Sequence, residues 1–144
     1  MSAVEDFRRY FEECPLIAII RGVTPDEAEA TARALYDGGI RIIEVPLNSP
    51  DPLTSIRTIA DTLGANALVG AGTVLTVDDV EQVKQAGGRL VVSPNMNPDV
   101  IRATVDSGIV SCPGTFTPTE AFAAIRAGAT VVSCSPPKAP PRKC

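Results

Sequence analysis

The most unusual residue in this sequence is a glutamate inside an apolar run. Glu44 lies in the segment IIEVPL, between Ile43 and Val45. Burying a carboxylate among such residues is costly unless the group is paired or used, and burial raises its pKa. A carboxyl group with a pKa near neutrality suits general acid–base chemistry. The alternative is a structural ion pair, with Arg21 at the end of the preceding apolar run as the partner.

Two further segments are candidates for binding an anion. Arg21 carries a planar fork of donors that suits a carboxylate or a phosphate, unless it only neutralises Glu44. The segment Gly70-Ala71-Gly72-Thr73 is not a dinucleotide fingerprint, because Leu75 occupies the position of the third glycine. Its backbone amides and the hydroxyl of Thr73 form either an anion-binding turn or an ordinary tight turn after a strand.

Composition argues against several other kinds of site. There is no histidine, and the four cysteines form no C-x-x-C pair, so we expect no metal site. Cys112 is interpreted as a small core residue rather than a nucleophile. The net charge of −4, with cations scattered among acids, does not fit a nucleic-acid surface. We expect a cytoplasmic protein, because no apolar run could span a bilayer and the N-terminus lacks a signal-peptide core.

These residues occur within a regular alternation of predicted strands and helices. Six short runs are apolar on consecutive positions and rich in β-branched residues, which is typical of parallel strands covered on both faces. They are LIAIIRG, IRIIEVPL, ALVGAGT, RLVVSPN, IVSCPG and ATVVS.

Helix start signals separate these runs. Capping boxes occur at Thr24–Glu27 and Thr117–Glu120, each with proline at the first helical position, and Thr76–Asp79 is a variant. Ser49-Pro50-Asp51 and Asn97-Pro98-Asp99 repeat the start signal. An amphipathic helix over roughly residues 4–13 precedes the first strand.

Two architectures use such βα units, a closed (β/α)₈ barrel and an open doubly wound sheet. The uniform length of the units favours the barrel. A barrel needs eight strands, whereas six are found here. We therefore predict an α/β fold, an incomplete (β/α)₈ TIM barrel of about six βα units. In either architecture the functional residues gather at the carboxyl ends of the strands.

Taken together, the segments resemble a known family. LIAIIRG, IIEVPLNSP, LVGAGTVL, VVSPNMNPDVI and CPGTFTPTEAFAAIRAGA are similar to the 2-keto-3-deoxy-6-phosphogalactonate and -gluconate aldolases, and EVPLNSP and IRGVTPDEA favour the galactonate branch. The resemblance extends from residue 15 to about residue 132. It implies a (β/α)₈ barrel, usually trimeric, and a class I aldolase that cleaves a phosphorylated keto sugar acid to pyruvate and glyceraldehyde 3-phosphate.

The resemblance also implies roles for individual residues. Glu44 would be the acid–base, and Arg21, Gly72 and Thr73 would bind substrate, with Thr73 at the pyruvate carboxylate. The family's imine-forming lysine would fall at position 133, where this chain has Ser133. In such an aldolase the iminium that the lysine forms with the keto group accepts the electrons released by cleavage, and we expect no cofactor and no metal.

The last residues break the pattern. A family-like segment VVKLFPAEG can be encoded so that deletion of one base in its lysine codon gives VVSCSPPKA, which is the sequence of residues 131–139. We therefore interpret residues 1–132 as a partial barrel domain. Residues 133–144 are interpreted as a Pro-rich basic tail translated out of frame. The alternative is a genuine short form with a Pro-rich extension.

Without the lysine we expect the chain to be inactive or nearly so as an aldolase. Two other functions remain open from the sequence. One is a non-catalytic remnant that binds anions at Arg21 and Thr73. The other is a flavodoxin-like module that acts through protein contacts. Open sheet edges would also favour irregular self-association.

The out-of-frame interpretation predicts what the coding DNA contains. One added base at codon 133 should restore a reading frame for a segment like KLFPAE. Sequencing the gene around that codon, without assuming a frame, tests this. A gene in which no neighbouring frame encodes such a segment would contradict the interpretation.

Overall fold

A computed structural model describes residues 1–134, in which six helices alternate with six strands. Their bounds, in chain order, are α1 (Ala3–Glu13), β1 (Ile17–Ile19), α2 (Pro25–Asp37), β2 (Ile42–Pro46), α3 (Pro52–Leu63), β3 (Leu68–Gly72), α4 (Val77–Gln85), β4 (Leu90–Ser93), α5 (Pro98–Asp106), β5 (Val110–Thr115), α6 (Pro118–Arg126) and β6 (Ser133–Cys134). None of these helices is long and apolar enough to cross a membrane.

The strands form one sheet in which spatial order follows chain order, β1 to β6, and every paired neighbour is parallel. This arrangement confirms the predicted barrel type with six strands. A doubly wound sheet would instead reverse its strand order at a switch point. The flavodoxin-like alternative is therefore wrong.

The two faces of the sheet contribute to two separate cores. On one face, Ile43, Val69 and Val91 pack with buried residues of helices α2 to α5. On the other face, the alternate residues pack with α1, among them Ile42, Leu68, Leu90 and Val110. Since side chains alternate along a strand, each strand supplies both cores. We call the face that packs with α1 the inner face and its core the inner core, and we call the core on the opposite face, which includes Ile43, Val69 and Val91, the outer core.

Helix α1 covers the amino-terminal part of the inner face. Phe7 and Tyr10 share a core with Leu68 and Leu90, which begin their strands. The carboxylate of Asp6 accepts a 2.7 Å hydrogen bond from Arg89, next to β4. The helix predicted over residues 4–13 is thus found, and it leaves the carboxyl ends of the strands uncovered.

The predicted capping boxes at Thr24–Glu27, Thr76–Asp79 and Thr117–Glu120 are all present. The start signal at Ser49-Pro50-Asp51 behaves differently. Helix α3 begins at Pro52, its N-cap Asp51 has a left-handed backbone, and no side chain caps the helix. The hydroxyl of Ser49 instead accepts a hydrogen bond from the amide of Gly22.

Strand β6 lies beside β5, with Ser133 opposite Gly114 and Cys134 opposite Thr115. The sheet therefore includes two residues beyond 132, the predicted end of the domain. The remainder of the predicted tail, residues 135–144, lies outside the described residues.

Candidate active site

A cavity of about 520 Å³ opens at the carboxyl ends of the strands. Its lining includes residues of β1, β2, β4, β5, β6 and α6, together with loop residues such as Thr73, which follows β3. Arg21, Glu44, Thr73 and Ser133 are all among these lining residues. The structure thus brings three of the predicted functional residues to one cavity, together with the position predicted for the missing lysine.

Glu44 reaches the cavity because of its place in the strand. Its neighbours Ile43 and Val45 pack into the outer core, whereas Ile42 packs into the inner core. Alternation of side chains therefore directs Glu44 to the inner face. Only 3% of the residue is exposed.

A glycine on the adjacent strand makes room for this carboxyl group. A Cβ atom on Gly72 would overlap the carboxylate of Glu44. Gly70, the register partner of Glu44, is equally restricted, since a Cβ there would overlap the backbone of Leu90. Gly72, predicted to bind substrate, is thus the surface against which Glu44 packs. Its role in binding substrate stays a prediction.

The surroundings of Glu44 change its acidity. Burial raises the pKa of Glu44 to about 7, and the positive charge of Arg21 opposes this rise. Within residues 1–134, Glu44 Oε2 is buried and has no hydrogen-bond partner. A carboxyl group in this state exchanges a proton near neutral pH, as general acid–base catalysis requires.

The alternative of a structural ion pair between Glu44 and Arg21 is not found in the described part of the chain, whose salt bridges involve other residues. The guanidinium of Arg21 instead donates a 2.7 Å hydrogen bond to Oδ1 of Asn48. One residue further along, the amide of Gly22 donates to Oγ of Ser49 at 3.1 Å. Asn48 was not singled out from the sequence, and Ser49 was interpreted only as part of a helix start signal, although both lie in the loop after β2.

Two other groups near the cavity have defined charge states. Burial and the nearby Glu44 charge raise the pKa of the Cys112 thiol to about 11, so the thiol stays protonated. Cys112 is buried in the inner core, as predicted. Glu120 also lines the cavity, and hydrogen bonds from the amides of Phe116 and Thr117 lower its pKa. The cavity therefore combines an ionised carboxylate with one that titrates near neutrality.

Thr73 follows β3 in an unusual conformation. Its φ of 57° places a threonine in the left-handed region. For a residue other than glycine this conformation costs about 1–3 kcal/mol. Such strain is often found at functional sites. Strand β3 therefore ends in a sharp turn whose residue Thr73 borders the cavity.

The fold and the cavity define a barrel-type α/β protein with a polar pocket at the carboxyl ends of its strands. The family model "Aldolase: KDPG and KHG aldolase" matches residues 8–139. The chain therefore belongs to this family.

Individual relatives give the same result. The chain is 55% identical over 118 residues to a Rhizobium meliloti protein named "Probable 2-dehydro-3-deoxy-6-phosphogalactonate aldolase", covering 82% of this chain and 56% of the relative. It is 48% identical to the Escherichia coli 2-dehydro-3-deoxy-6-phosphogalactonate aldolase, with 87% and 61% covered. A solved structure titled "Native KDPGal structure" superposes with a TM-score of 0.85 at 47% identity, with 88% and 61% covered. The chain thus spans about three fifths of the length of these relatives.

The buried carboxyl group predicts a particular pH dependence of stability. Because the native pKa of Glu44 lies above its ordinary 4.5, the native state holds this proton more tightly than the unfolded state. The stabilisation is complete below pH 4.5 and is lost as the pH rises through about 7. The loss is at most about 3 kcal/mol. Urea unfolding of E44Q should therefore give a flatter profile than wild type between about pH 5 and 8.

The matched control for E44Q is E12Q, since Glu12 is an exposed carboxylate on α1. E12Q should keep the wild-type profile. Parallel profiles for E44Q and wild type would contradict a raised pKa for Glu44.

The glycine niche predicts coupling between Gly72 and Glu44. G72A alone should destabilise the protein by about 1–3 kcal/mol, because the new methyl group overlaps the carboxylate. In an E44A background the same substitution should cost much less, since the overlapping group is gone. A double-mutant cycle by urea unfolding measures this coupling. Equal costs of G72A in the two backgrounds would show that the two groups do not touch.

Proposed function

We propose that this chain carries the acid–base and anion-binding part of a class I aldolase site for 2-keto-3-deoxy-6-phosphogalactonate, or for the gluconate epimer. The products would be pyruvate and glyceraldehyde 3-phosphate. The observation that carries the proposal is the buried Glu44, with its pKa near 7, in one cavity with Arg21 and Thr73. The family and the names of its relatives supply the substrate class.

The chemistry assigned to Glu44 follows from imine catalysis. When an amine forms an imine with the keto carbon, the iminium accepts the electron pair of the breaking C3–C4 bond. A carboxylate removes the proton of the C4 hydroxyl, which becomes the aldehyde. The same group, now protonated, returns the proton to C3 of the enamine. A pKa near 7 suits both steps.

The anionic groups of the substrate would bind elsewhere in the cavity. Arg21 offers a positive charge and a donor fork, and Thr73 adds a hydroxyl and a backbone amide at the end of β3. We assign Thr73 to the pyruvate carboxylate, as the family resemblance implies. Both groups bind a keto acid whether or not cleavage follows.

The residue at position 133 determines whether this chain can form an imine with its substrate, and that residue is Ser133. It lies in β6 opposite Gly114 and lines the cavity, at the position where the family resemblance implies the lysine. A hydroxyl cannot form an imine, so we propose that this chain binds pyruvate-like anions but cleaves substrate at a negligible rate. The anion-binding remnant is therefore the second candidate function, and it is favoured by Ser133 itself.

Location and assembly are proposed from the family alone. We propose a cytoplasmic protein of carbohydrate metabolism, with phosphorylated keto sugar acids and pyruvate as its small-molecule partners. The family resemblance implies a homotrimer for complete members.

Placing an amine at position 133 tests the proposed function. With pyruvate and borohydride, wild type should gain no covalent adduct, whereas S133K should be trapped as a stable secondary amine, because the new amine lies in the cavity that binds the keto acid. Mass spectrometry of intact protein and of its peptides measures the adduct and its position.

The controls separate this result from unspecific labelling. S133R supplies a cation that does not form an imine, and it should stay unmodified. Lys84, on α4 and outside the cavity, should stay unmodified in every variant. Labelling of S133K no greater than that of wild type would contradict the proposed function.

A further inference from the structure

The position of Arg21 in the sheet leaves its side chain weakly constrained. Arg21 follows β1, which pairs with β2 and is the last strand on its side of the described sheet. Arg21 itself is exposed, so few packing contacts hold its side chain. Arginine side chains lose considerable rotamer freedom when they are held in one geometry. A specific contact is therefore needed to keep the guanidinium at the cavity.

Two adjacent residues of the loop after β2 supply that contact. Oδ1 of Asn48 accepts the 2.7 Å hydrogen bond from the guanidinium of Arg21, and the buried hydroxyl of Ser49 accepts one from the amide of Gly22. The first bond fixes the side chain, and the second fixes the backbone beside it. Both connect segments that are 27 positions apart in the chain.

The group that accepts the hydrogen bond from Arg21 is the neutral side-chain amide of Asn48. This neutrality affects what the guanidinium can bind. Arg21 is the single cationic residue that lines the cavity within residues 1–134, and the other charged lining residues are Glu44 and Glu120. An aspartate at position 48 would also accept the hydrogen bond, but it would neutralise the charge of Arg21. An asparagine fixes the direction of the guanidinium and leaves its full charge for an anionic ligand.

We propose that Asn48 is a positioning residue that holds Arg21 toward the anionic group of the ligand without neutralising it. This inference rests on the proposed function, because it requires that the cavity bind a keto acid. It adds a determinant of anion affinity outside the cavity lining, since Asn48 acts through Arg21 and does not line the cavity.

The test measures anion affinity in four variants of the full chain. NMR titration with pyruvate, and separately with inorganic phosphate, gives the Kd of wild type, R21Q, N48A and N48D. We expect N48A to weaken binding of the anion that Arg21 contacts by about threefold, the effect of one exposed hydrogen bond. N48D should weaken it by about fivefold or more, because the new carboxylate lies next to the guanidinium.

The comparison of N48A with N48D separates positioning from a purely structural role. N48D is nearly isosteric and keeps a hydrogen-bond acceptor, so a structural role predicts wild-type affinity for it. The matched control is E29Q, which changes the acceptor of the exposed Arg33 on α2, and it should bind as wild type does. Thermal unfolding of each variant verifies that the fold is kept.

The possible outcomes distinguish this inference from the proposed function. Weaker binding by R21Q, N48A and N48D, with N48D weakest, supports the inference, and the anion affected identifies whether Arg21 contacts a carboxylate or a phosphate. Binding of pyruvate or phosphate by wild type, with the affinity for both anions unchanged in N48D, overturns the inference alone. A wild-type protein that binds neither anion overturns both.

Discussion

The site depends on the burial of one carboxyl group on the inner face of a parallel sheet. Glu44 is placed there by the alternation of β2, whose outward residues Ile43 and Val45 are committed to the outer core. Turning Glu44 outward would require a one-residue shift of register, which would move Ile43 and Val45 to the inner face and place Glu44 and Ile42 in the outer core. The cost of burying the acid is thus imposed by the packing of the whole strand. Its raised pKa is the direct consequence.

The rest of the inner face accommodates this acid. At the amino-terminal ends of the strands, α1 packs on an apolar core that includes Leu68 and Leu90. Toward the carboxyl ends, Gly72 has no side chain, and the carboxyl group of Glu44 occupies the space that a Cβ there would fill. The same strands therefore contribute to an apolar core at their amino-terminal ends and to a polar cavity at their carboxyl ends. Separation of stability from function along the strands is characteristic of barrel folds.

Much of the fold could be predicted from sequence because the signals were local. Consecutive β-branched residues indicated covered strands, and the capping boxes that begin α2, α4 and α6 are found as expected. The burial of Glu44 was also predictable, because its flanking residues are apolar. The start signal at Ser49-Pro50-Asp51 was less informative, since Ser49 bonds to Gly22 instead of capping a helix.

The parts of the site that could not be predicted depend on contacts between distant segments. The packing of Gly72 against Glu44 requires the register of β2 on β3, which no local pattern gives. The bond between Asn48 and Arg21 requires the path of two loops. Neither the left-handed backbone of Thr73 nor the choice of Asn48 over Glu44 as the partner of Arg21 has a sequence signature.

The most direct measurement of the central claim is the titration of Glu44 itself. Carbon-detected NMR of the glutamate side-chain carboxyl carbons, with the Glu44 signal assigned from its absence in E44Q, follows this one group across the pH range. The account predicts a midpoint at about 7, well above the ordinary 4.5. A midpoint near 4.5 would mean that the carboxyl group is hydrated and ionised, and the acid–base role assigned to it would be contradicted.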